Sequence, residues 1–98
     1  MQINTKSRGD KLYRVCVGSG IVWTYEFHVY ARHKNDALDR VADYCEDNEL
    51  IGAYAYHYDL VDFCDENQSV DEYAAAHNLV LCGNSSIYLD VTHMEECK

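Results

Sequence analysis

Residues 21–31 read IVWTYEFHVYA, and residues 34–45 read KNDALDRVADYC. In the first stretch Ile21, Trp23, Tyr25, Phe27 and Val29 alternate with Val22, Thr24, Glu26, His28 and Tyr30. A period of two, rich in β-branched and aromatic residues, predicts a strand. In the second stretch Ala37, Leu38, Val41, Ala42 and Cys45 recur at helical spacing, which predicts an amphipathic helix. The period changes at Lys34, and the fold class follows from that change.

Outward from there, residues 11–17 also alternate, and Gly18-Ser19-Gly20 separates them from the next run as a hairpin loop. A two-residue turn would set Arg14 opposite Trp23. A three-residue loop sets Val17 opposite Ile21, Val15 opposite Trp23 and Tyr13 opposite Tyr25, so that register is expected, with Gly20 left-handed. Residues 1–10 are polar and aperiodic and are expected as a flexible arm.

On the helix, Asn35 is the expected N-cap, and Asp36 and Asp39 lie in the first turn where the dipole favours acids. Asn48 or Gly52 would stop it. Tyr54, Tyr56 and Tyr58 alternate with Ala53, Ala55 and His57, which predicts a short strand. Leu60, Val61, Phe63 and Cys64 interleave with Asp59, Asp62, Asp65 and Glu66 as a short acidic helix.

Ser69-Val70-Asp71-Glu72 is a capping box opening a helix that buries Val70, Tyr73, Ala74 and His77, with Asn78 just past its end. Residues 79–82 and 87–93 flank Gly83-Asn84-Ser85-Ser86 as a closing hairpin, with Ile87, Leu89 and Val91 on one face. The order predicts a small single α+β domain over residues 1–98. Its antiparallel sheet would come from an N-terminal and a C-terminal hairpin, with two to three helices packed on one side.

Charge divides the chain unevenly. Residues 41–97 carry thirteen acids and no lysine or arginine, and the whole chain has a net charge of −9. Such a surface repels nucleic acid and anionic membranes, which argues against both as direct partners and favours basic protein surfaces. No apolar run is long enough for a membrane span or a signal-peptide core. The five cysteines include no CxxC pair, which points to free thiols in a cytoplasmic setting.

No catalytic or metal signature emerges. Five Cys and five His invite zinc, yet only His93 and Cys97 lie close, and no second pair completes a site. Cys64 with His57, or Cys82 with His93, would pair a thiol with a base. Both cysteines fall in apolar runs, which raise a thiol pKa. Asp59, Asp62, Asp65 and Glu66 lack the spacing of a calcium loop, and paired carboxylates on solvated faces are poor general acids. Neither an enzyme nor a cofactor is expected. Tyr30, Tyr44, Tyr56 and Tyr88 are the tyrosines expected outside the core, where aromatic beside acid suits a protein partner.

Tyr30-Ala31-Arg32, residues 37–44 (ALDRVADY), Val70-Asp71-Glu72-Tyr73, and Gly83-Asn84 before Ile87-Tyr88-Leu89 together resemble small acidic proteins of phages and mobile elements of Gram-positive gut bacteria. That resemblance spans roughly residues 11–96. It implies an anti-CRISPR-like or anti-defence role, non-enzymatic, in the host bacterial cytoplasm. The basic surface of a host nucleic-acid-binding protein or nuclease complex would be occupied by a nucleic-acid mimic. The phosphate surrogates would be Asp36, Asp39, Asp43, Glu46 and Asp47 on the first helix, with Asp62, Asp65 and Glu66 as a second patch. Two alternatives stay open: an adaptor or homodimeric regulator using exposed tyrosines, and a small metal-binding protein or enzyme.

Overall fold

A computed structural model describes residues 1–18 and 24–98. Its strands are β1 (Lys11–Gly18), β2 (Thr24–Ala31), β3 (Tyr54–Tyr56), β4 (Leu79–Leu81) and β5 (Ile87–Cys97). Its helices are α1 (Lys34–Asp47), α2 (His57–Leu60), continued by a 3-10 turn Val61–Phe63, and α3 (Val70–Ala76). The architecture is α+β, with one antiparallel sheet of five strands.

The spine is β5. Its eleven residues reach about 36 Å at strand rise, most of the 46 Å long axis. Both β3 and β4 pair with Tyr88 and Leu89, so they flank β5 on opposite edges. Beyond them β5 continues along β1, from Val17↔Val91 to Leu12↔Cys97. That pairing extends β5 past the expected end at His93. A bulge interrupts it: Cys16 faces His93, and the Thr92 hydroxyl donates to the Cys16 carbonyl at 3.1 Å.

The β1–β2 register differs from expectation. Val15 faces Phe27 and Val17 faces Tyr25, four residues along from the expected pairing, with Gly18↔Thr24 the last described pair. Alternation fixes which side chains face inward but tolerates an even slip. In the observed alignment Phe27, opposite Val15, packs edge-on against Tyr44 of α1, centroids 5.4 Å apart. Ser19, Gly20, Ile21, Val22 and Trp23, with the expected turn conformation, lie outside the described residues.

Alternation along β5 splits the core in two. Ile87 and Leu89 join Val15, Val17, Phe27, Val29 and the buried stripe of α1, which is Ala37, Leu38, Val41, Ala42 and Cys45 as predicted. Tyr88 points the other way and packs with Leu60, Val70 and Ala74. The helices therefore divide, α1 on one face and α2 with α3 on the other, rather than sharing one side. The reason is that Ala55 and Tyr88 give the β3–β5 pair an apolar second face.

Local signals were partly displaced. His33, not Asn35, caps α1: its Nδ1 accepts from the Asp36 amide at 3.2 Å, while the Asp36 carboxylate accepts from the Arg32 amide at 3.0 Å. The two bonds resemble a capping box, with the carboxylate reaching the residue before the cap rather than the cap's own amide. Asn48 ends the helix as expected. Ser69 accepts from the Glu72 amide at 3.1 Å, and Asn78 is left-handed at φ 58°, both as expected. His77, expected inside, is exposed, stacked 4.0 Å from Tyr73. In the expected acidic helix only Leu60 is buried, because the chain tightens into the 3-10 turn and leaves Val61 and Phe63 exposed.

The first residues are not a loose arm. Met1–Ile3 hydrogen-bond to β2 at His28, and the Asn4 side chain bridges both backbone groups of Tyr30 at 2.8 Å. They cover the outer edge of β2 that an open sheet would leave unpaired.

The second core is tied by Tyr88, whose hydroxyl donates to Asp71 of α3 at 2.7 Å. Burial first, and the Asp71 carboxylate second, push the Tyr88 phenol up to about 12. Tyr88→Phe is expected to lower stability by ~1.5–2 kcal/mol at neutral pH, read by urea denaturation. A folded-state pKa above the unfolded value means this contribution is full below about pH 10 and fades as pH rises through 12. The variant should therefore show a shallower alkaline loss.

Candidate binding surface

The apolar stripe of α1 faces the sheet, so geometry sends the remaining side chains outward. Asp36, Asp39, Asp43, Glu46 and Asp47 share that outward side, and they divide into two kinds.

Asp36 serves the fold. Its carboxylate accepts from the Arg32 amide and pairs with Arg40 at 3.2 Å. The Arg32 amide, ahead of Arg40, holds its carboxyl below the usual carboxylate range despite partial burial. A depressed carboxyl contributes stability above its unfolded pKa, which is lost as pH falls through the folded one. The same bond occupies Arg40, the single base of the stripe.

Asp39 is half-buried against the loop after β4. Its Oδ1 is buried without a partner, in a cleft of about 230 Å³ shared with Asp43, Cys82, Gly83, Asn84 and Ser85. Gly83 sits at φ 55°, where a Cβ would lie 2.7 Å from that carboxylate. Burial first, then Asp43 and Asp36, push the Asp39 carboxyl upward. Removing the charge should therefore help: Asp39→Asn is expected to gain ~0.5–1 kcal/mol at neutral pH. A raised carboxyl means the penalty exists only above the unfolded pKa, so the gain should vanish below about pH 4. Calorimetric melting at both pH values checks this.

Asp43, Glu46 and Asp47 are exposed. Glu46 and Asp47 lie in the last turn, which contains no base, where the helix dipole favours cations. Asp43 and Asp47 also line a shallow groove with Ile3, Asn4, Arg40 and Tyr44, where the docked N-terminus meets α1. These acids oppose the stability of their own helix.

The second patch stands apart. Asp62, Asp65 and Glu66 are exposed on the 3-10 turn and the segment after it, on the opposite face of the sheet from α1. The structure brings the five acids of α1 together and does not bring the second patch to them.

The tyrosines are placed differently from expectation. Tyr88 is buried, and Tyr30, Tyr44 and Tyr56 are half-buried. The exposed large apolar side chains include Ile51 at 88%, Tyr58 and Phe63 at 66%, and Val61 at 52%. The alternation of Tyr54, Tyr56 and Tyr58 masked this, because the chain leaves β3 at Tyr56 and turns into α2.

All five cysteines are free thiols. Burial pushes Cys45 and Cys82 up to about 12, so neither is an activated nucleophile. Cys64 donates to the Leu60 carbonyl at 3.3 Å. Among the described residues no three His, Cys, Asp or Glu converge as metal ligands, and no helix is long and apolar enough to cross a membrane. No protein-family model, curated protein or solved structure matches this chain.

Proposed function

We propose that this protein is a non-enzymatic inhibitor of a nucleic-acid-binding enzyme, acting inside a bacterial host by occupying the enzyme's basic surface in place of nucleic acid. One observation carries the reading. Asp43, Glu46 and Asp47 stand exposed along α1, toward the end where the dipole disfavours them, while the only base among them is held by Asp36. Charges kept against local stability are suited to an external cation.

Carboxylates one helical turn apart lie about 5–6 Å from each other, comparable to successive phosphates along a strand. Docked against Lys and Arg, they fill the place where the nucleic acid must sit. An anti-CRISPR-like role fits this chemistry. Asp39, partly withdrawn beside Gly83, contributes less, and Asp36 supports the helix.

Affinity capture from a nuclease-treated bacterial lysate tests the reading, with wild type and an Asp43→Lys, Glu46→Lys, Asp47→Lys variant side by side. Expected is a nucleic-acid enzyme held by wild type at low salt, shed at high salt, and never held by the variant. Equal capture by both would contradict it.

A further inference from the structure

The segment joining α1 to α2 turns Ile51 out to solvent, while Tyr54 and Tyr56 beside it rest half-buried on the core. Ile51 is held outward by a tight turn: Leu50 donates to the Cys45 carbonyl at 2.9 Å and Ala53 to the Leu50 carbonyl at 3.1 Å. Glu49 and Gly52, on either side, are left-handed at φ 52° and 91°. These two residues and the hydrogen-bonded turn between them set the exposed, β-branched Ile on a raised pedestal. Beside it runs an aromatic ladder, Tyr54 edge-on to Tyr56 at 5.5 Å and Tyr56 stacked on Tyr58 at 5.3 Å. Ile51, Tyr54 and Tyr56 line one shallow pocket together with Asp59.

Acids border this ridge. Glu49, two residues before Ile51, and Asp59, which lines the same pocket, are exposed beside it, and residues 41–97 contain no lysine or arginine to balance them. Burial first, and the Glu46 carboxylate second, push the Tyr56 phenol up to about 12.

We infer that Ile51, Tyr54, Tyr56 and Tyr58 form a contact centre for an arginine-bearing protein surface, with the surrounding carboxylates as its charged rim. The inference rests on the inhibitor reading above and names the chemistry of the partner. An arginine guanidinium stacks on tyrosine faces while pairing with carboxylates, which a lysine ammonium does less well. A stacked ladder also suits nucleobases, but the bordering acids repel a phosphate backbone. A second copy of the chain would set the same acids against each other. Small, rigid aromatic and aliphatic anchors inside a polar rim are the usual energetic centres of protein interfaces.

The test uses the full chain and two synthetic peptides of equal length and charge, one arginine-rich and one lysine-rich, each with interspersed leucines. Binding is followed by calorimetry and by amide chemical shifts. Expected is tighter binding of the arginine peptide, with shifts centred on residues 49–59. Ile51→Ser and Tyr58→Ala should each weaken it about tenfold with melting temperature unchanged, since both side chains are exposed.

If the two peptides bind equally, with shifts confined to α1 and full affinity in both variants, this inference falls while the inhibitor reading stands. If neither peptide binds and the α1 charge reversal also leaves capture unchanged, both fall. A concentration-dependent dimer abolished by Ile51→Ser would assign the ridge to a second copy and overturn the inference.

Discussion

Phe27→Ala is expected to lower stability by about 3–5 kcal/mol, the largest effect of any single truncation among the described residues. Phe27 is fully buried on β2, edge-on to Tyr44 of α1 and 6.3 Å from Tyr25 on its own strand. Its removal leaves a void between sheet and helix that Val15, directly across the strand pair, is too small to fill. A domain of this size has roughly 5–10 kcal/mol in total, so the variant should lose about a third or more of its urea midpoint. The neighbouring Glu26 points to the open face, paired with Arg14 across β1. Glu26→Gln should leave the urea midpoint nearly unchanged, as loss of a surface ion pair does. A reversal of those two results would mean that β2 presents its other face to α1.

The second large effect separates binding from folding. The Asp43→Lys, Glu46→Lys, Asp47→Lys variant is expected to lose at least about 100-fold in affinity for the basic partner, because three attractions become repulsions. The same changes place cations at the C-terminal end of α1, where the last turn contains no base. Stability should be unchanged or rise by ~0.3–1 kcal/mol. Titration calorimetry against the captured enzyme and thermal melting of the free protein read the two halves. Loss of binding together with loss of fold would mean that these acids serve the structure. Undiminished affinity would mean that the stripe is only a solvated face.

Local chemistry was legible in the sequence where it depends on near neighbours. The buried stripe of α1, the Ser69 cap and the left-handed Asn78 follow from spacing and from hydrogen bonds within one turn. His33 as N-cap was not legible, since Asn35 is the better capping residue type and only the back-bond from Asp36 to Arg32 moves the start. Long-range pairing was hidden for a different reason. Arg14 meets Glu95 across β1 and β5 at 3.2 Å, and nothing in the alternation of either strand names the other. The even slip between β1 and β2 preserves every inward side chain, so the pattern alone was indifferent to it.

The candidate surface was half legible. Five acids of α1 fall on one side because helical geometry requires it, but their separate roles depend on tertiary contacts: the Arg40 pair for Asp36 and the Gly83 loop for Asp39. Asp62, Asp65 and Glu66 were read as a second patch, and they lie on the 3-10 turn and the segment after it, apart from α1. The Ile51 pedestal left no periodic signal, since a turn with two left-handed residues has none.

The most direct measurement is displacement. Labelled nucleic acid is bound to the captured enzyme, this protein is added, and fluorescence anisotropy is followed at several salt concentrations. The account predicts full release of the nucleic acid, with a half-maximal concentration that rises steeply with salt. A stable ternary complex, with the protein bound and the anisotropy unchanged, would contradict it.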